Sequence, residues 1–274
     1  MKANSGYGRF ADYYDALNAF FNYKINALIY NTLISEYAPD KPDGGILLDL
    51  ACGTGKMSVE MATLGWDVIG VDISPDMLSN ATPHEKVTYI CQDMTELDLY
   101  GTVDAAVSLL DGLNHLPDEA ALQRAFKRVS LFMNPGGVFI FDMNTIHKHE
   151  VTLGDNILEV REIGDGEEGW RNCEGSKKVY MVWKNAYQGD GVVDIILDVF
   201  VENQDGLYER FTEEIRERAY ETSTVCKLCE QAGFEVKKCL DFTTLEEIEL
   251  KETKTPKEAS HNHERIIFIC QKVV

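Results

Sequence analysis

Residues 46 to 74 read ILLDLACGTGKMSVEMATLGWDVIGVDIS. An apolar run carries Asp49 near its end, Gly53 and Gly55 follow, and a second apolar run ends at Asp72. Gly53 and Gly55 let the backbone approach a ligand closely and turn into a helix. In an open parallel sheet, ligands bind beyond the carboxyl ends of the strands. An acid ending the second strand can accept hydrogen bonds from both hydroxyls of a ribose. A third element, CQDM at 91 to 94, places Asp93 where it can accept from an adenine amino group, with Met94 on the ring edge. These residue types point to a nucleoside cofactor. The dinucleotide pattern G-x-G-x-x-G would need a glycine at position 58, where Ser58 stands, and the Walker pattern is absent.

Strands and helices must alternate to position these residues. Apolar residues Phe10, Tyr14, Leu17, Phe21, Ile25, Leu28 and Leu33 recur at helical spacing, predicting one or two amphipathic helices over 10 to 37. The turn-rich APDKPDGG then leads into a strand at 46 to 50. A helix over 56 to 64 closes at Gly65, and a strand follows at 67 to 71. Ser74 is placed to cap a short helix that has Pro75 at its first position. Strands are expected at 87 to 91, 103 to 110 and 138 to 143, with a helix over 118 to 132 and a turn at NPGG. Such alternation means a parallel sheet covered on both faces.

From about 156 to 220 the pattern changes to extended stretches separated by polar glycine turns. Val193, Ile195, Leu197, Val199 and Val201 alternate with polar residues, so one face is apolar and must be buried. An antiparallel sheet is therefore expected inside the α/β domain. STVCKLCEQAGF reads as a helix ending at Gly233, and EVKKCLDF and RIIFICQKVV as the last two strands, joined by a polar loop.

The 274 residues, 45% of them apolar, suit one large domain with an insertion. A net charge of −20 repels phosphate backbones and makes nucleic acid an unfavourable partner. Seven cysteines without regular spacing read as reduced thiols. No signal-peptide pattern opens the sequence, and no stretch approaches the ~20 apolar residues of a membrane span. A soluble, cytoplasmic protein is expected.

LLDLACGTG, GVDIS and QDM, at these spacings, resemble the class I S-adenosylmethionine-dependent methyltransferases. The resemblance covers 46 to 143 and, more loosely, the whole chain. YGRFADYYDAL, at 7 to 17, resembles the cap of the small-molecule branch, and TSTVCKLCEQAGFEV resembles the late helix and sixth strand. The family implies a Rossmann-like, seven-stranded α/β sheet flanked by helices, here carrying the inserted antiparallel sheet. It divides the chain into a helical cap (1–45), a cofactor-binding core (46–146 and 221–274) and an inserted lid (147–220). It implies S-adenosyl-L-methionine as cofactor. Asp49 and the backbone of Ala51, Cys52, Gly53 and Gly55 would line its methionine moiety. Asp72 would hold the ribose, with Ile73 against the adenine. Asp93 would meet the adenine amino group beside Met94. Leu109 and Leu110 would pass under the cofactor, and Tyr7 and Tyr14 would close over it. Plainer readings stay open: Asp49 as a capping acid, Asp93 as a turn residue, Tyr7 and Tyr14 as core aromatics.

Such a cofactor carries its own electrophilic methyl group. The protein need only hold a nucleophile in line, exclude water and, where required, take a proton. Orientation alone supplies roughly 7–11 kcal/mol in favourable cases. Candidates lie past 110 and past 143: Asp111, Asn114 and His115, then Asp142, Asn144, His147 and His149. His115 is the best base, since histidine titrates near neutrality; its alternative is a helix-capping or loop role. His147 and His149 are expected to point to water at the start of the insertion. DMNT at 142 to 145 is not the Asn/Asp-Pro-Pro-aromatic signature of base amino methylation. Cys226 and Cys229 have only His261 and His263 as paired partners and fall within an expected helix, so no metal is expected.

The expected acceptor is a small molecule methylated at oxygen or nitrogen. The inserted sheet would supply a substrate wall or a homodimer surface, with Trp170, Trp183 and Tyr187 either lining an acceptor pocket or serving as core aromatics. Arg216 and Arg218 are expected to pair with neighbouring acids, or else to bind an acidic substrate. The rivals are a protein or RNA methyltransferase, a non-catalytic cofactor-binding module and, more distantly, a nicotinamide-dependent oxidoreductase.

Overall fold

The computed structural model describes residues 8–19, 21–38, 44–153, 159–164, 178–203, 205–248 and 263–273. Tyr7, Trp170, Cys173 and His261 lie outside the described residues, as does most of the polar loop before the last strand. Two helices come first, α1 (Ala11–Leu17) and α2 (Tyr23–Tyr37). Alternation follows: β1 (Ile46–Leu50), α3 (Lys56–Thr63), β2 (Asp67–Asp72), α4 (Pro75–Ser79), β3 (Val87–Cys91), β4 (Val103–Ser108), α5 (Glu119–Phe132) and β5 (Met133–Asn144). Then come four strands, β6 (Glu159–Gly164), β7 (Lys178–Gly189), β8 (Val192–Glu202) and β9 (Tyr208–Arg218). The chain returns through α6 (Thr222–Gln231) to β10 (Phe234–Asp241) and β11 (Arg265–Lys272).

The main sheet has seven strands in the order β10-β11-β5-β4-β1-β2-β3. β1 runs parallel to both β2 and β4, whereas β11 is antiparallel to its neighbours β5 and β10. The order reverses at β1, so the loops after β1 and β4 open a crevice at their carboxyl ends. Period-two alternation splits the core between the two faces. Leu48, Ala106, Phe139, Phe141 and Phe268 pack with α5 and α6, through Phe126 and Val225. Leu47, Val107, Ile140 and Ile267 pack on the other side with Tyr30, Ile34, Met61 and Trp66. Local signals start the helices: Ser74 accepts from the Met77 amide and Pro75 opens α4, as expected, and Asp118 accepts from the Ala121 amide at the start of α5.

Two elements differ from the sequence reading. α2 buries Ala27, Tyr30 and Ile34, while Ile25 and Leu28 are exposed. Apolar spacing can be traced along either side of this helix; the side chosen is the one where Asn31 also accepts from the Trp66 indole at 2.9 Å. β5 starts earlier than 138, and the NPGG turn is absorbed as an irregularity between Met133, paired to Val103, and Val138, paired to Ala105.

The second sheet has the order β6-β7-β8-β9 and is antiparallel throughout. Its inner face carries Val193, Ile195, Leu197, Val199 and Val201, all buried. The face is covered from within the chain, by Phe10, Tyr13 and Ala16 of α1 and its entry turn. On the outer face Arg210 pairs with Asp198 and Arg216 with Asp194. Among the described residues no helix is long and apolar enough to cross a membrane. Leu197→Ala removes the centre of the covered face, and should lower stability by about 2–5 kcal/mol, read as a lower urea midpoint. An unchanged midpoint would show that this packing does not hold the fold.

Candidate functional site

The loop Ala51–Gly55 leaves β1 with three residues at positive φ: Ala51 at 60°, Gly53 at 55° and Gly55 at 70°. A side chain on Gly55 would run into the hydroxyl and ring of Tyr89 from β3. Tyr89 donates to the Thr82 carbonyl at 2.7 Å, which fixes it under the loop. Gly55 thus turns the chain into α3 and does not itself line the cavity, whereas Ala51, Cys52, Gly53 and Thr54 do.

Asp72 stands across from this loop. Its Oδ2 accepts from the Gly53 amide and its Oδ1 from the Ser74 amide, each at 2.8 Å. Each oxygen keeps a lone pair for the cavity that Asp72 lines. Burial raises its pKa, opposed by the Ser74 and Gly53 amides and by the nearby His115. Asp93 accepts from the Thr95 amide and hydroxyl, both at 2.8 Å and both on Oδ1. It is a turn cap and a cavity residue at once. Asp49 is buried and accepts from Ser58 at 2.5 Å. Desolvation pushes its pKa up to about 7, against the Ser58 bond that favours the charged form. Ser58, which breaks the dinucleotide pattern, is thus the partner of this acid.

The opposite side comes from the end of β4. Leu109, Leu110 and His115 line the cavity, as do Ile73 and Met94. Leu110 and Asp111 adopt φ of 53° and 59°, a left-handed pair that costs about 1–2 kcal/mol per residue. The carboxylate of Asp142 holds them: Leu110 N and Asp111 N donate to its two oxygens at 3.0 Å. Arg265 donates to Asp142 at 2.7 Å and to Asp111 at 3.2 Å. Burial works against the Arg265 guanidinium, yet Asp111 and Asp142 hold its pKa above the ordinary value. Strain of this kind persists where surrounding structure over-determines it. Asp111, Asn114, Asp142 and Asn144 therefore serve this scaffold and do not face the cavity.

The roof comes from α1 and β9. Tyr14 lines the cavity from α1, while its neighbour Tyr13 packs on the second sheet. Glu214, Ile215 and Arg216 of β9 complete the enclosure, whose volume is about 500 Å³, within the range of small-molecule sites. Tyr23, Lys56 and Gln92 also line it and were not apparent from the sequence. Lys56 stands 3.8 Å from Asp15, which in turn accepts from Thr54 at 2.5 Å. The signal for Lys56 was its place directly after the second glycine; Tyr23 and the β9 residues carried no signal short of the tertiary fold.

Three expectations are corrected. His149 is fully buried, not in water, because its Nδ1 meets the Gly191 carbonyl at 2.7 Å and its Nε2 meets Glu217 at 3.2 Å. Trp183 packs with the inner cluster, its indole donating to Asn185, and Tyr187 faces a separate open depression; neither lines the cavity. Arg216 pairs with Asp194 at 2.6 and 2.9 Å, as expected, while reaching the cavity, but Arg218 donates to the Pro117 carbonyl and, among the described residues, not to an acid. Cys226 and Cys229 are buried thiols of α6, and among the described residues no group of three or more His, Cys, Asp or Glu is arranged to hold a metal.

Residues 47–137 match the model of a methyltransferase domain. A solved structure of an S-adenosylmethionine-dependent methyltransferase from Clostridium acetobutylicum ATCC 824 is 26% identical, aligns over 97% of this chain and 98% of its own, and superposes with a TM-score of 0.72. In sequence and in fold the chain is similar to the S-adenosylmethionine-dependent methyltransferases. YqeM of Bacillus subtilis (strain 168), itself named only as a methyltransferase, is 27% identical over 263 residues, 90% of this chain and 95% of its own. The sugar N-methyltransferase KedS8 from Streptoalloteichus sp ATCC 53650 shares the fold, with a TM-score of 0.73 over 94% of this chain and 90% of its own at 19% identity. The cofactor these similarities support is S-adenosylmethionine. The residues fit it: a loop with room for close approach, an acid with two spare lone pairs, and a cavity of the right order of size.

Asp72→Ala should weaken cofactor binding more than tenfold with the fold intact; an unchanged affinity would remove Asp72 from the site. Asp49 gives a pH signature. Its folded pKa of about 7 lies above the unfolded value, so the stability it contributes is present at low pH and is lost as pH rises through about 7. Asp49→Asn should flatten that decline in urea midpoints between pH 5 and 8, and an identical decline in the variant would refute the assignment.

Proposed function

We propose that this methyltransferase transfers its methyl group to a nitrogen or oxygen of a small-molecule acceptor. The observation that carries the reading is the enclosure itself. The cavity above the glycine loop is roofed by Tyr14 and by Glu214 and Ile215, which suits a small acceptor better than a polymer. The net charge of −20 also disfavours nucleic acid. KedS8, a sugar N-methyltransferase by name, shares the architecture, which supports a small polar acceptor.

In this reading the chain divides as a cap (1–45), a core (46–146 and 221–274) and a lid (147–220). Asp72 receives the ribose hydroxyls and Ile73 packs on the adenine. Asp93, fixed by Thr95, takes the adenine amino group through its second oxygen, with Met94 alongside. Asp49 and the Ala51–Thr54 backbone, turned into α3 by Gly55, surround the methionine moiety, and Lys56 and Tyr23 receive its carboxylate. Leu109 and Leu110 form the floor, and Tyr14 closes over it. When bound, S-adenosylmethionine supplies an electrophilic methyl on a sulfonium. The protein orients the acceptor, excludes water with the roof and takes the proton at His115. The free thiols at Cys52, Cys91, Cys226, Cys229, Cys239 and Cys270 suit a reducing compartment such as the cytoplasm.

Calorimetric titration with S-adenosylmethionine and with S-adenosylhomocysteine, beside NAD, tests this reading. Micromolar binding of the first two and none of NAD is expected. His115→Ala should then bind the cofactor as tightly while transferring methyl more slowly in an acceptor screen. Binding without transfer to any amine or hydroxyl acceptor would favour a non-catalytic cofactor-binding module, and no binding would end the proposal.

A further inference from the structure

Glu217 is a buried acid that the transfer chemistry above does not use. It lies on β9, two residues beyond Ile215 in the cavity roof, and is 5% exposed. Its Oε2 accepts from Asn144 Nδ2 at 2.9 Å and meets His149 Nε2 at 3.2 Å. The same Asn144 Nδ2 donates to Asp111 Oδ2 at 2.8 Å. Asp111 is the second residue of the left-handed pair, and Arg265 joins its carboxylate to that of Asp142. A continuous polar path thus runs from the roof strand, through Glu217, Asn144, Asp111, Arg265 and Asp142, to the amides of Leu110 and Asp111 in the floor. His149 anchors the same acid to the Gly191 carbonyl, in the turn between β7 and β8. Lys148, with its pKa lowered by burial and by Arg265, adds a further cation beside Asp111 and Glu217.

Floor and roof come from different parts of the fold. The main sheet makes one and the inserted sheet makes the other. Their spacing decides whether a cofactor is gripped. A side-chain contact between them exists at Asn114, whose Nδ2 donates to the backbone carbonyls of Asn144 and Arg218. Asn114 also reaches the strained pair, its backbone N–H donating to the Asp111 carbonyl at 2.7 Å, whereas the path through Glu217 is the one that reaches the Asp111 carboxylate.

We propose that Glu217 is a positioning residue: it fixes the roof strand against the floor turn and so sets the gap that holds the cofactor. The proposal rests on the cavity being the cofactor site. Removing the acid leaves Asn144 and His149 short of a buried partner and frees Asp111 to relax. Glutamine keeps an acceptor oxygen for Asn144 and gives up only the charge.

The test compares native protein, Glu217→Gln and Glu217→Ala. Two readings are taken: S-adenosylhomocysteine affinity by calorimetry, and amide hydrogen exchange at Leu110 and Asp111. Glu217 touches neither amide. The alanine variant is expected to bind at least tenfold more weakly and to exchange faster at both amides, with glutamine restoring affinity to within about threefold of native and exchange to an intermediate rate. A folded alanine variant with native affinity, or with faster exchange confined to the inserted sheet, would overturn the proposal. Should the alanine variant fail to fold, glutamine decides: exchange at 110 and 111 faster than native supports the link, and native exchange there refutes it. If the native protein itself binds no S-adenosylhomocysteine, the cofactor reading fails separately, and the exchange data still judge the link.

Discussion

The carboxylate of Asp142 holds together the part of the molecule on which the site depends. It is fully buried, and receives two backbone amides and a guanidinium at 2.7 to 3.0 Å. The amides belong to two consecutive residues, neither of them glycine, forced into left-handed backbone. Without an acceptor placed between them, that turn would relax and Leu110 would leave the floor. Without Arg265, the acid would be a buried charge with only dipoles to offset it. Breaking such a pair typically costs about 3–5 kcal/mol. The bent path from β4 into His115 is thus stabilised by β5 and β11, strands that contribute no residue to the cavity wall.

A second constraint acts from above. α1 is only 7 residues long and could not hold its shape alone. It survives because it lies between two partners. Phe10, Tyr13 and Ala16 bury the apolar face of the inserted sheet, and Tyr14 and Asp15 face the glycine loop. The insertion therefore does not merely sit over the site. It needs α1 to cover its inner face, and α1 needs the insertion to be ordered, so the roof forms as one unit.

Much of this was legible in the sequence, and for definite reasons. β1, β2 and the loop between them obey local rules: apolar runs, glycines where the backbone turns, an acid at a strand end. The alternation at Val193–Val201 marked the inserted sheet, and Ser74, Pro75 and Asp118 marked helix starts. What escaped was whatever depends on contacts distant in sequence. Asp142 and Arg265 are 123 residues apart, and Glu217 and His149 are 68 apart. His149 looked like a surface residue because nothing local said that a β9 acid would cover it. Glu214 and Ile215 joined the cavity only because β9 is the edge strand next to the β4 turn. The buried side of α2 was misjudged for the same reason: Trp66, which selects it, comes from the next βα unit.

A crystal structure of the complex with S-adenosylhomocysteine would test the central claim most directly, that one cavity between the main sheet and the inserted strand holds the cofactor. The ribose hydroxyls should lie within hydrogen-bond distance of both Asp72 oxygens, with Leu110 beneath the ligand and Ile215 above it. A ligand bound elsewhere, or bound here with Asp72 still satisfied by the Gly53 and Ser74 amides alone, would contradict the account.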